Sequence, residues 1–312
     1  MTTPTTALRW PAALVLAVLL IAAYLGMGQL STPEPATAGA PAGDFDFAEQ
    51  RRMLSYQHGF HAGNRADVLK HAILHATLSE AASASPKCLY VETHSGRGRY
   101  NLEGPQSLKG GEAAEGVLAL LKGSTPKPLA PWLDFVRPRC PGDYPGSPSL
   151  AQALLPKEAR IILFEKHPTE YKELVSAVGD DARTQVKHAD GYSGALKLTP
   201  RADEKMICFV DPSYETSRDI DALALWTPRA LKRWPKGMLI LWLPLFRDGR
   251  EAEFGEYLST LDDCVVAGAR WPADAEKETA LEGTAIVTFR PTRSVREKSL
   301  AIANALQSWW AN

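Results

Sequence analysis

The chain has 312 residues, 45% of them hydrophobic and 23% charged, with 35 Lys+Arg against 36 Asp+Glu and a formal net charge of −1. That length buries one large core or two small ones. The even charge balance excludes a globally basic nucleic-acid binder, so any nucleic-acid surface has to be a local patch. The four cysteines, Cys88, Cys140, Cys208 and Cys264, form no CxxC pair, and Cys88 and Cys208 fall in apolar runs. This suits buried thiols in a reducing compartment better than a disulfide or metal framework.

Ala12 to Leu25 is uncharged and apolar, follows Arg9, and continues without charge to Gln29. The run is long for a signal-peptide core and short for a membrane span. Ser31 to Gly43 is rich in Pro, Ala, Thr and Gly and has linker composition. Residues 1–30 are therefore read as an apolar targeting segment or signal-anchor, with membrane contact through residues 12–28. Residues 31–52 are read as a flexible linker and residues 53–312 as the folded domain.

Asp67 to Ala82 is predicted as a half-buried helix, with Val68, Leu69, Ala72, Ile73, Ala76 and Leu78 roughly on one face. Tyr56, His58, His61 and Asn64 precede it and read as a solvated loop or as the wall of a site. Four of the seven histidines fall between positions 58 and 75. No cysteine joins them and the nearby acids lack ligand spacing, so no metal site is expected. Cys88 to Tyr100 is a buried strand followed by a turn in which Gly96 and Gly98 let the backbone approach a ligand closely. The third glycine of a dinucleotide fingerprint is missing, which argues against NAD or FAD.

Residues 103–145 read as a small helical insertion, with short helices expected over Gly111–Lys122 and Leu129–Val136. Tyr144-Pro-Gly-Ser-Pro148 re-enters the fold. Arg160–Glu165 is a buried strand ending in an acid that can accept both hydroxyls of a ribose. A helix over Pro168–Val178, a strand over Thr184–His188 and the pair Asp190-Gly191 follow. Met206-Ile-Cys-Phe-Val-Asp-Pro-Ser-Tyr214 is a strand buried on both faces, which Pro212 ends. Asp211, the Pro212 carbonyl and the Tyr214 ring then sit at the carboxyl end of a strand, where open α/β sheets bind ligands. A carboxylate beside a carbonyl can accept both hydrogens of an exocyclic amine, and the aromatic ring can stack on the base that carries it. Helices over Asp219–Arg233 and Glu251–Leu261 and strands over Gly237–Pro244, Cys264–Ala269 and Gly283–Phe289 complete seven strands alternating with helices. The expected fold is a doubly wound α/β domain with a mostly parallel sheet.

Taken in order, the segments from Ser55 to His71 (Ser-Tyr-Gln-His-Gly-Phe-His-Ala-Gly-Asn-Arg-Ala-Asp-Val-Leu-Lys-His), Glu-Thr-His-Ser-Gly-Arg-Gly-Arg-Tyr100, Tyr-Pro-Gly-Ser-Pro148, Glu-Lys-His-Pro168, Ala-Asp-Gly-Tyr192 and Asp-Pro-Ser-Tyr214 resemble the RlmJ family. These are 23S ribosomal RNA (adenine-N6)-methyltransferases. The resemblance runs over residues 53–290 and implies a Rossmann-like class I fold and S-adenosyl-L-methionine as cofactor. The implied partner is ribosomal RNA, free of protein or partly assembled. By that resemblance Lys70, His71 and His94 would hold the methionine end of the cofactor, with Ser147 adding a polar contact. Glu165 would take the ribose hydroxyls and Asp190 and Gly191 the adenine edge. Asp211 would be catalytic as well as close to the cofactor. Tyr56, His58, Pro212 and Tyr214 would face the RNA, and no metal is implied.

Three features depart from the family pattern. Ser213 replaces the second proline usual after Asp211, Arg97 replaces a small residue and would crowd or clamp the cofactor, and the apolar leader is additional. They motivate a rival reading as an inactive, membrane-tethered RNA-binding homologue. A DNA adenine methyltransferase is disfavoured, because an insertion of about 40 residues and a tail of about 20 leave little room for a recognition region.

Overall fold

The computed structural model describes residues 58–85, 87–214, 217–272 and 281–311. The leader and linker expected over residues 1–52, and Tyr56, lie outside the described residues. The elements in chain order are α1 (Arg65–Ala84), β1 (Cys88–Glu92), β2 (Arg99–Tyr100), α2 (Pro105–Gly110), α3 (Val117–Lys122), α4 (Ala130–Val136), β3 (Tyr144–Pro145), α5 (Ser147–Leu154) and β4 (Arg160–Glu165). They continue with α6 (Pro168–Val178), β5 (Thr184–His188), α7 (Gly191–Leu196), β6 (Lys205–Val210), α8 (Ser217–Arg233), β7 (Met238–Phe246), α9 (Ala252–Leu261), β8 (Cys264–Arg270), β9 (Leu281–Phe289) and α10 (Arg293–Trp310).

Seven strands form one sheet in the order β5-β4-β1-β6-β7-β9-β8, and β2 and β3 make a separate two-stranded ribbon. β4 and β6 flank β1, and β1, β4, β5, β6 and β7 run parallel. β9 lies antiparallel to both β7 and β8. The chain winds outward from β1 through β4 to β5, then returns to place β6 on the other side of β1. That reversal opens a crevice beyond the carboxyl ends of β1 and β6.

The apolar runs become central strands because each has two buried faces. Along β6, Met206, Cys208 and Val210 join one core, while Ile207 and Phe209 join the other. A period of two thus divides one continuous run between two layers. The edge strand β8 instead alternates between buried and exposed positions. Pro244 is tolerated inside β7 because β6 pairs only with Met238 to Leu241, so no ladder bond to β6 is lost at residue 244.

The expectation of a half-buried helix is corrected at α1. Every residue from Ala66 to Leu78 except Ala76 is buried, Asp67, Lys70, His71 and His75 among them. The helix packs against β9, α5 and α10, so it has no solvated stripe. Its Ala-rich sequence lets neighbours approach closely, and its start is fixed by Asn64, whose Oδ1 accepts from Asp67 N at 2.9 Å. Gly111–Lys122 was expected as one helix. It is a short 3-10 turn at Glu112–Ala114 followed by α3, with Gly116 as the break. Gly116 packs so closely on Gly63 that a Cβ would lie 2.1 Å from the Gly63 carbonyl oxygen.

Ile73 is fully buried at the centre of α1. Ile73→Ala is expected to lower the free energy of unfolding by about 2–5 kcal/mol in a urea titration. A loss well under 1 kcal/mol would show that α1 is not a core element.

Candidate active site

Parallel pairing brings the ends of β1, β4 and β6 to one edge of the sheet, with Glu92 in register with both Leu163 and Phe209. Just beyond this edge lie Thr93 to Gly98, Glu165 and Asp211. The fold therefore gathers His94, Glu165 and Asp211 from positions far apart in sequence. Asp190 and Gly191 follow β5 and open α7, where Asp190 Oδ1 accepts from Ser193 N at 2.8 Å. Position 191 admits only glycine, since a Cβ there would sit 1.9 Å from the Thr93 carbonyl oxygen.

Lys70 reaches across from α1 to the end of β6. Its Nζ donates to Asp211 Oδ2 at 2.7 Å and lies 2.8 Å from Asp67 Oδ1, with side chains 4%, 15% and 1% exposed in the order Lys70, Asp211, Asp67. The Asp67 contact is a close ion pair without hydrogen-bond alignment. Burial alone would push Lys70 towards neutrality, but Asp211 and Asp67 outweigh it and raise its pKa. Burial raises Asp211 above the ordinary carboxylate range, and Lys70 and His58 pull it part of the way back. Lys70 Nζ is also 5.3 Å from the centre of the Trp242 ring.

The residues after β6 are held by the same tryptophan. Pro212 is buried and Ser213 exposed. Tyr214 adopts a left-handed backbone with φ of 52°, uncommon for a bulky residue and found where local strain serves a site. Its hydroxyl donates to the Trp242 carbonyl oxygen at 2.6 Å, and its ring meets Trp242 edge-to-face at 5.4 Å.

The glycine turn is pinned by Glu165. Oε2 accepts from Gly96 N at 2.8 Å and Oε1 from His167 N at 2.7 Å. Each oxygen keeps a further lone pair for a hydroxyl donor. Desolvation raises the Glu165 pKa, and these two backbone donors oppose it. Gly96 has φ of 57°, and a Cβ there would strike the Tyr100 hydroxyl at 2.6 Å.

His71 was expected among the cofactor contacts. The structure buries it and directs Nδ1 to the Tyr144 hydroxyl at 2.8 Å, and burial pushes its pKa down to about 3. His94 is likewise driven down to about 4 by burial, shares a hydrogen bond with Thr93 Oγ1 at 2.8 Å, and meets Tyr192 edge-to-face at 4.9 Å. Both rings are neutral hydrogen-bonding groups at physiological pH. Ser147 donates to Glu92, which also accepts from Tyr90 Oη at 3.1 Å. His58 Nε2 lies 2.9 Å from Asp67 Oδ2.

Arg97 does not crowd the cofactor crevice as expected. Its Nε and Nη2 grip Glu170 at 3.0 and 2.5 Å, and Nη1 donates to Gln106 at 2.8 Å. It thus ties the turn to α6 and to the insertion. The insertion also grasps the segment before α1. Glu112 engages His61 at 2.7 Å and Asn64 at 2.9 Å, and Val117 N donates to the Gly63 carbonyl at 2.8 Å.

Sequence reasoning missed Asp67, Glu92, Tyr144 and Trp242. Asp67 and Lys70, three apart on a helix, look like an ordinary surface ion pair. Glu92 stood within a recognised motif, and its position at the end of a central strand was the available signal.

The chain matches a protein family described as "Ribosomal RNA large subunit methyltransferase D, RlmJ" over residues 85–309. The chain belongs to the RlmJ family. It is 34% identical over 198 residues to the ribosomal RNA large subunit methyltransferase J of Escherichia coli, covering 62% of this chain and 71% of that protein. The protein of the same name from Haemophilus influenzae gives 34% over 199 residues with the same coverage. A solved Legionella pneumophila protein superimposes with a TM-score of 0.72 at 25% identity, over 80% of this chain and 94% of that one.

The crevice suits the cofactor of this family, S-adenosyl-L-methionine. Ser95 Oγ and Tyr192 Oη are buried there without a hydrogen-bond partner among the described residues. Glu165 and Asp190 present carboxylates at the ends of β4 and β5, the acceptor set that ribose hydroxyls and an adenine amine require. Among the described residues, no group of three or more His, Cys, Asp or Glu side chains is arranged to hold a metal ion.

Arg97→Ala would leave the buried Glu170 without its cation. Stability is expected to fall by about 2–3 kcal/mol, below the range for fully buried pairs because Arg97 keeps some solvent contact. Cofactor affinity by calorimetry should stay within a few-fold. A large loss of affinity at unchanged melting temperature would return Arg97 to the cofactor.

Proposed function

We propose that this protein transfers a methyl group from S-adenosyl-L-methionine to the N6 amino group of an adenine in large-subunit ribosomal RNA. The observation that carries the reading is Asp211, a carboxylate ending β6 at the switch point, followed by the buried Pro212 and held by Lys70. When bound, the cofactor supplies an electrophilic sulfonium methyl group. Glu165 would hold its ribose, Asp190 and Gly191 its adenine edge, and His94, Ser147, His71 and Lys70 would surround its methionine end.

The adenine amine is a poor nucleophile because its lone pair is delocalised into the ring. Asp211 Oδ1 and the Pro212 carbonyl would accept its two hydrogens and draw the nitrogen towards tetrahedral geometry. Lys70, engaged on Oδ2, fixes the carboxylate in place. Positioning supplies most of the catalysis, and Asp211 takes the released proton. Its raised proton affinity suits that role better than an ordinary aspartate would. Tyr214, braced on Trp242, offers a ring for the unstacked base. Tyr56 and His58 would contact the RNA from the segment before α1.

Residues 1–30 would act as a targeting or anchoring segment and residues 31–52 as its tether, with the catalytic domain in a reducing compartment. Among the described residues, no helix is long and apolar enough to cross a membrane.

Paired substitutions separate chemistry from binding. Asp211→Ala should abolish methyl transfer to below a few per cent of wild type while cofactor affinity stays close to normal. Glu165→Ala should weaken the cofactor by about 1.5–3 kcal/mol through loss of charged hydrogen bonds. Retained activity in the first variant, or unchanged calorimetric affinity in the second, would refute the corresponding role. Removal of residues 1–43 should leave an active domain with nearly the same melting temperature, whereas the full chain should partition with vesicles or be cleaved near the linker. A melting temperature lower by many degrees would place Ala12 to Leu25 in the core.

A further inference from the structure

Asp67 is buried, yet its carboxylate meets three groups of the segment from His58 to Lys70. Oδ2 accepts from Gly63 N at 2.8 Å and lies 2.9 Å from His58 Nε2, while Oδ1 lies 2.8 Å from Lys70 Nζ. Lys70 in turn donates to Asp211. A continuous path of alternating charge and polarity therefore runs from the segment before α1 to the end of β6.

We propose that Asp67 is a positioning residue for the transfer site: it aims Lys70 at Asp211 and, by sharing the lysine's charge, keeps Asp211 basic enough to accept a proton. The inference rests on the reading of Asp211 as acceptor. Its ground is charge counting in a buried cluster. One ammonium lies between two carboxylates, so the trio carries one net negative charge while both Asp67 and Asp211 are ionised. The surroundings keep Asp67 ionised: burial acts against the charge, but His58 and Lys70, both in direct contact, hold its pKa well below the usual range. Were Asp67 uncharged, Lys70 would belong wholly to Asp211, a like charge nearby would vanish, and Asp211 would bind its proton more weakly. The other groups facing Asp211 are His58, Tyr90 and Glu92 on β1, Tyr192 on α7 and Tyr214 after β6; of these, His58 also touches Asp67 and loses that carboxylate partner with it.

The test is Asp67→Asn, an isosteric change that keeps acceptor capacity for Gly63 N. The single-turnover rate on RNA is measured against pH alongside carboxyl-carbon NMR titration of Asp211 without RNA. The expected result is an acidic limb and an Asp211 midpoint both displaced to lower pH, on the order of one unit. The plateau rate should fall by on the order of 10- to 100-fold, as a weaker base predicts. Cofactor affinity should remain within a few-fold. Asn64→Ala is the structural control, since it removes the helix cap on Asp67 N without altering charge. It should lower the melting temperature and leave the pH limb in place. An unmoved limb and midpoint in Asp67→Asn, with any loss of rate tracking the folded fraction, would reduce Asp67 to a packing residue and overturn the inference. Should the variant not fold, titration of the wild-type protein decides. Asp67 remaining ionised below the usual aspartate value of about 3.9 supports the inference, and titration in the usual range overturns it. A wild-type protein that binds cofactor but methylates no RNA would defeat the functional reading alone, because the NMR arm would still decide for or against the charge sharing.

Discussion

A buried ammonium held between two carboxylates is the constraint on which the rest of this site depends. Asp211 and Asp67 keep Lys70 charged at 4% exposure against the cost of burial, and each carboxylate would be costly without Lys70. The ion pair therefore requires α1 to lie against the sheet with its charged residues at the end of β6. That placement forces the helix to be buried on all sides, which its alanines allow. It also explains why the segment before α1 is so firmly held. His58 and the Gly63 amide complete the coordination of Asp67, and Glu112 and Val117 of the insertion clasp the same segment from outside. The insertion is thus part of the support of the site rather than a surface elaboration.

A second polar system orders the glycine turn and the end of β1. Glu165 binds the glycine turn through Gly96, Arg97 binds that turn to Glu170, and Glu92 receives Ser147 and Tyr90 beneath it. Burial raises the Glu92 carboxyl well above the ordinary carboxylate range, and the Ser147 and Tyr90 hydroxyls that donate to it pull it back. The two networks differ in character. The one around Lys70 is an ion cluster next to the expected acceptor, while Glu92 is met by two uncharged donors, the Ser147 and Tyr90 hydroxyls.

Much of this was legible in the sequence for a definite reason. Central parallel strands need two buried faces, so Arg160–Glu165 and Met206–Val210 announce themselves as unbroken apolar runs, and Pro212 marks where the ladder stops. The order of the acids at the strand ends then carries the likeness to a family. What could not be read is what lies across the fold from each residue. Asp67 and Lys70 carry the spacing of a solvated helical pair, and only the packing of α10 and β9 on α1 reveals them as buried. Arg97 looked like an intruder in a glycine turn because its partner, Glu170, is 73 residues away. The helix α10 was passed over as a tail although Val295, Ser299, Ile302, Leu306 and Trp310 are spaced as a buried helical face. The bond from His71 Nδ1 to the Tyr144 hydroxyl joins residues 73 apart, so the sequence did not announce it.

The most direct measurement is nucleoside mass spectrometry of protein-free large-subunit ribosomal RNA after incubation with this protein and isotopically labelled S-adenosyl-L-methionine, followed by fragment mapping. The expected result is labelled N6-methyladenosine confined to one fragment. Label on another base or ring atom, label on DNA in preference to RNA, or no label despite bound cofactor would contradict methyl transfer by Asp211 and Pro212 to an adenine amine.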